Sequence, residues 1–167
     1  MLDEATRNAL VQSYNNYAEG LDSKNWELLR SVFADEVLLD YGNISPEQFK
    51  TGKPSSSDAW VAHLKSVIDG FDVTHHRISN HRFGVEGGVP WCKAYLAADH
   101  VIFKDPETTD ISPEELSTVV GEYTNYYVQA PGGWKICRSR LAVQFSHGNP
   151  ALFPEAIARA AAKSAAS

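Results

Sequence analysis

The sequence predicts an α+β domain in which helices come first and a strongly curved antiparallel sheet follows, the two enclosing a pocket. Three observations predict it. Apolar residues recur at helical spacing up to about residue 69. From Phe71 to about Ser146 the pattern changes to long strands broken by turn signals. The last two strands are joined by Pro131-Gly132-Gly133, a hairpin connection. Helices followed by strands are the mark of an α+β arrangement. The length, 167 residues, makes this a single domain over residues 1–167.

Asp3 is a good N-cap for a first helix over residues 3–20, with Leu10, Val11, Tyr14 and Tyr17 on one side and Gly20 as its stop. A second helix starts near Ser23 and carries Trp26, Leu28, Leu29, Val32 and Phe33. Residues 36–41, EVLLDY, read as a short strand. Residues 42–57 are rich in Pro, Ser and Gly and read as a loop. Ser57 and Asp58 can cap a third helix over about residues 58–69, with Trp60, Val61, Leu64 and Ile68 on its inner face. Strands then run from Phe71 to Gly87-Gly88, from Val89 to Pro106, from Ser117 to Gln129 and from Pro131 to Ser146, with an acidic excursion, PETTDISPEEL, between the middle two. The Ala-rich tail from Pro154 reads as a C-terminal helix that frays.

Composition narrows the function. Hydrophobic residues make up 43% and charged residues 22%, the balance of a soluble globular chain. A net charge of −6 speaks against a nucleic-acid partner, whose phosphates need a basic face. No apolar run approaches the roughly 20 residues of a membrane span, so no membrane partner is expected. The polar start MLDEATRNALVQ is unlike a secretory leader and predicts an intracellular, cytoplasmic protein. Cys92 and Cys137 read as buried thiols of two strands.

Strand alternation sorts the candidate site residues by face. In the strand from Val89, one parity reads Cys92, Ala94, Leu96, Ala98, His100, Ile102. It is apolar apart from His100, which therefore points to the concave side among small neighbours that leave room for a ligand. In the last strand Cys137, Ser139, Leu141, Val143 and Phe145 share a parity and are expected to form the apolar wall of the same pocket. His75 and His76 face opposite sides, and their parities are both mixed, so either can be the inward one. Asp22 follows the first helix, where a carboxylate can equally cap the second.

Metal and nucleophile chemistry have no signature here. There is no HExxH and no paired Cys/His spacing for a metal, no GxSxG elbow, and GVEGG lacks the strand–turn–helix setting of a phosphate site. What remains is acid–base work by His and Asp in an apolar pocket, which needs no cofactor.

The stretch LDSKNWELLRSVFADEVLLDY (21–41), together with VTHH (73–76) and DHVIFKD (99–105), resembles scytalone dehydratase, the fungal melanin-pathway enzyme family. The wider resemblance is to the cone-shaped α+β barrel of nuclear transport factor 2, ketosteroid isomerase and SnoaL-type cyclases. The resemblance implies a cofactor-free dehydratase acting on a hydroxylated cyclic ketone of polyketide type. It implies Asp22 and His100 as the proton-transfer dyad, with Asp22 hydrogen-bonded to the His100 ring. His76 is implied as a second histidine handing a proton to the leaving hydroxyl or holding the substrate, and Tyr41 as a water-mediated clamp on the carbonyl. The family has a tyrosine where this chain has Leu21. Its serine and asparagine on the penultimate strand fall at Gly121 and Tyr123, so part of the clamp is either missing or rebuilt with Tyr123 or Asn125. The family closes its pocket with C-terminal aromatics, which points to Phe153 or Phe145 as ligand contacts, and it forms trimers through the outer sheet face. Here that face is expected to carry Tyr95, Val101 and Phe103 and to make a homo-oligomer. A ketone isomerase or polyketide cyclase on the same scaffold, or a non-catalytic ligand-binding protein, stays open at this point.

Overall fold

The structure, a computed structural model, describes residues 1–166. Helix α1 (Glu4–Asp22) begins at Asp3, whose carboxylate accepts a hydrogen bond from Thr6 N at 2.7 Å. It does not stop at Gly20. A Cβ there would lie 2.8 Å from the backbone N of Leu29, so this glycine serves the close approach of α2 (Trp26–Ser31) while α1 runs on to Asp22. Asn25, not Asp22, caps α2, accepting from Leu28 N. Strand β1 (Phe33–Asp40) leads into a loop with two short 3-10 turns, then the two-residue β2 (Ser55–Ser56) and α3 (Ser57–Ile68).

The second half forms β3 (Val73–Glu86), β4 (Val89–Val101), β5 (Leu116–Ala130) and β6 (Gly133–Gly148), and the chain ends in α4 (Leu152–Ala165). The six strands make one curved, unclosed sheet in the order β2-β1-β6-β5-β4-β3. The long strands pair antiparallel, as the turn signals predict, while β1 adds to β6 in parallel. Helix α1 lies over the concave face and meets β3 more extensively than any other strand. Gly70 lets α4 dock at the other end, since a Cβ there would sit 1.8 Å from the Ala156 carbonyl oxygen. No described helix is long and apolar enough to cross a membrane.

The parity read for β4 holds along its whole length: Cys92, Ala94, Leu96, Ala98, His100 and Ile102 are all buried. The parity of β6 does not hold, because the strand is bulged twice. Arg138 and Ile136 pair with consecutive residues of β5, as do Val143 and Phe145, leaving Cys137 and Gln144 as extra residues. Ile136 is therefore fully buried instead of Cys137, which is only half-buried. Beyond Gln144 the strand turns over: Phe145 pairs with Val120 and shares its outer face. On that outer face Tyr95 is exposed, whereas Val101 is buried and Phe103 half-buried.

Candidate active site

The two extra residues of α1 beyond Gly20 carry the Asp22 carboxylate across to β3. There it accepts from Thr74 Oγ1 at 2.9 Å and from the backbone N of His76 at 2.8 Å. Its Oδ1 is 2.6 Å from Nδ1 of the His76 ring. A carboxylate can only accept, so Nδ1 carries the hydrogen and the neutral ring offers its Nε2 lone pair. Burial raises the Asp22 carboxyl, but the hydrogen bonds from His76 and Thr74 outweigh it and hold the group below its ordinary value. Thr74 and His76 lie on the inward parity of β3 and His75 on the exposed one, which resolves the ambiguity of the adjacent histidines.

The expected hydrogen bond between Asp22 and His100 is not formed. Asp22 is spent on β3, the strand beneath the end of α1, whereas His100 stands on the neighbouring β4 with its Nδ1 3.2 Å from the Ser117 carbonyl oxygen. The two histidine rings meet edge to face with centroids 5.6 Å apart. His100 is 5% exposed and packs against Phe71 and Phe153 at centroid distances of 5.0 and 4.8 Å. Burial first, and then the neighbouring His76, lower its pKa to about 4, so the ring is neutral at working pH.

A layer of buried tyrosines stands elsewhere in the same core, with Tyr17 of α1 near enough to Asp22 to feel its charge. Tyr41, just after β1, places its hydroxyl 3.1 Å from Ser139 Oγ, and Tyr17 OH is 3.2 Å from Tyr123 OH. The Tyr41 and Tyr123 rings lie 6.1 Å apart. Burial, reinforced by the neighbouring hydroxyls, pushes all three phenols well above their ordinary range, so each is a neutral hydrogen-bond donor. Asn125 is buried on the same strand as Tyr123, and its side-chain oxygen has no hydrogen-bond partner among the described residues. Leu21 and Leu141 are buried wall residues of this core. A cleft of about 460 Å³ between α1 and β3 reaches the Asp22–His76 pair and is lined by Ala18, Glu19 and Arg77 among others, a more polar approach than the apolar pocket expected.

Phe145, 56% exposed, is turned to the outer face by the Gln144 bulge, whereas Val143 pairs with Gly121 on the inward parity of β5 and is 38% exposed. Phe153 does close over His100, through α4. Sequence reasoning passed over Thr74 and Tyr17, and read Ser139 only as a part of the wall and not as the partner of Tyr41. Thr74 carried a signal, standing two residues before His76 on the same strand face, and Tyr17 stood on the helix stripe that was read as core alone.

Residues 4–140 match the model of the SnoaL-like domain family. No curated protein sequence matches the chain significantly. Among solved structures, the chain is similar to the Kfla4162 protein of Kribbella flavida, with 22% identity, 90% of this chain and 98% of that one covered, and a TM-score of 0.75. It is similar to a protein of Novosphingobium aromaticivorans provisionally classed as a scytalone dehydratase (20% identity, 86% and 91% covered, TM-score 0.63). It is also similar to a hexachlorocyclohexane dehydrochlorinase, LinA-type3, of Novosphingobium barchaimii (14% identity, 87% and 91% covered, TM-score 0.67). At these identities the likeness is one of fold.

Proposed function

The chain belongs to the SnoaL-like domain family, within the nuclear transport factor 2-like superfamily, and from that premise we propose that it is a cofactor-independent dehydratase, a carbon–oxygen lyase. Its substrate class is a hydroxylated cyclic ketone of polyketide type. The observation that carries this reading is the Asp22–His76 hydrogen bond at 2.6 Å, in a core that also holds a set of neutral tyrosine hydroxyls. A carboxylate on Nδ1 fixes the tautomer and favours the imidazolium that forms when Nε2 takes a proton. The tyrosine layer supplies donors for the charge that develops on a carbonyl oxygen when the α-carbon is deprotonated.

In this reading His76 Nε2 removes the proton α to the carbonyl, and the electron pair moves toward the carbonyl oxygen as an enolate. The enolate collapses to a carbon–carbon double bond and expels the β-hydroxyl. The imidazolium returns its proton to that hydroxyl, which departs as water. Atoms and charge balance without a cofactor. Tyr41, Tyr123 and Tyr17 hold the enolate oxygen, and Phe153 covers the site. Two of the three named structural neighbours, one a dehydratase and one a dehydrochlorinase by name, fit the scaffold to eliminations. Copies associate through the outer sheet face around Tyr95 and Phe145, as a trimer.

The test is a panel of hydroxylated tetralones read by mass spectrometry for loss of water. His76→Ala and Asp22→Asn are each expected to cut turnover by roughly 10²- to 10⁴-fold, the usual cost of an acid–base group. The double variant should cost less than the product of the two, because the residues act as a unit. Turnover per folded molecule that is unchanged by both substitutions would refute the assignment.

A further inference from the structure

Helix α1 is tied to the sheet by hydroxyls as well as by apolar packing. Tyr14 OH donates to the Cys92 carbonyl oxygen on β4 at 2.8 Å, and Tyr17 OH meets Tyr123 OH on β5 at 3.2 Å. Ser13, the residue before Tyr14, is also buried, yet its Oγ has no hydrogen-bond partner among the described residues. Two atoms of β5 share that condition, Asn125 Oδ1 and Tyr127 OH, on residues 3% and 1% exposed. Residues two apart on a strand point to the same face. The three side chains belong to one place. Asn125 pairs across the sheet with Cys92, the residue whose carbonyl holds Tyr14. Burial pushes the Tyr127 phenol well above its ordinary range and Cys92 adds to the push, while Ser13 and Asn125 draw it back, so both lie near its hydroxyl. None of the three oxygens is in hydrogen-bonding geometry with another. Buried polar groups in folded proteins are nearly always paired, so three orphans side by side point to a shared partner.

We propose that Ser13, Asn125 and Tyr127 bind one buried water molecule, which forms the third polar tie between α1 and the sheet. The chemistry of the three groups selects water. Asn125 Oδ1 only accepts, so the occupant must bring a hydrogen. The two hydroxyls can each donate, so it must bring lone pairs as well. A water offers two of each and commonly makes about three such bonds when buried. None of the three side chains is charged, and an ion buried without a counter-charge costs far more than a neutral molecule. The site is separate from the Asp22–His76 pair and independent of the lyase reading. It grips α1 at its middle, and the same helix delivers Asp22 to His76 at its end.

A crystal structure of the unaltered protein should show one compact peak of density about 2.7–3.2 Å from at least two of the three oxygens. Oxygens bonded directly to one another with no such peak, or density too large for a single water, overturn the proposal. In solution, the ²H relaxation dispersion of water counts long-lived internal waters. Ser13→Ala combined with Tyr127→Phe should remove one of them. Each single substitution should lower the melting temperature by about 2–4 °C, the worth of one hydrogen bond in a chain of 167 residues. Together they should lower it by clearly less than the sum, because both act on the same water. Leu10→Ala empties apolar volume at another buried position of α1, and an apolar cavity stays dry. It should lower the melting temperature and leave the count of long-lived waters unchanged. An unchanged count in the double variant, strictly additive losses, or a water lost in Leu10→Ala as well overturns the assignment.

Discussion

Acidification from pH 7 toward pH 4 should withdraw about 3 kcal/mol of stability through His100 alone. The folded ring has its pKa lowered from 6.5 to about 4, chiefly by burial. Between those values the unfolded chain binds a proton that the folded ring refuses, so stability falls as the pH falls. The contribution is intact above pH 6.5 and is lost progressively as the pH approaches 4. At about 1.4 kcal/mol per pH unit the full drop is worth about 3 kcal/mol, and by pH 5 roughly 2 kcal/mol of it should be gone. Urea unfolding at pH 7, 6 and 5, with a shared m value, reads this directly. The comparison is His100→Gln, which cannot titrate. The half-buried histidines His63 and His81 are also pushed down, and Asp22, Asp72 and Asp99 are held below the ordinary carboxylate value. They act in both proteins and cancel in the difference. The wild-type stability should therefore fall toward that of the variant by about 2 kcal/mol between pH 7 and pH 5. Parallel curves would refute the argument, and with it the neutral, desolvated state of the His100 ring.

Two further predictions concern positioning and assembly. Thr74→Val removes the Oγ1 donor from the Asp22 carboxylate, a hydrogen bond to charge worth about 1.5–3 kcal/mol. The acid limb of the kcat/KM profile should move to higher pH with roughly a tenfold loss of kcat, both restored by Thr74→Ser, and a lowered melting temperature with an unmoved profile would reduce Thr74 to a packing residue. Phe145→Asp puts a charge on the exposed outer face beside Val120 and should turn the proposed trimer into monomers by light scattering, whereas a monomeric wild-type protein at micromolar concentration would remove that assembly reading.

The residues that were legible in the sequence were those whose placement depends on one local period. The inward face of β4, with His100 on it, follows from alternation over a strand that is regular from Trp91 to Val101. The same rule failed on β6, because bulges at Cys137 and Gln144 shift the period by one without a Gly or Pro to mark them. That is why Phe145 was placed inside. The partner of Asp22 was hidden for a different reason. Which strand lies beneath the end of α1 is set by how the whole helix sits across the sheet, and no local pattern encodes that. Gly20 compounded this: it reads as a helix stop, yet its missing Cβ makes room for Leu29, and the helix continues far enough for Asp22 to reach β3.

The two histidines sit on strands of unequal constraint. β4 is held on both sides by β3 and β5, whereas β3 ends the sheet and has a strand neighbour on one side only. Amide protons around His100 should thus exchange only with large openings, and those around His76 with smaller ones. The carboxylate that steers His76 arrives on a helix and not on the sheet, whereas the pairing of Thr74 with His100 and of His76 with Ala98 fixes the two histidine-bearing strands in register. A chain built this way can alter the approach to its proton acceptor by substitutions in α1 alone. Substrates of different width then become accessible to one scaffold without any change in the groups that meet them.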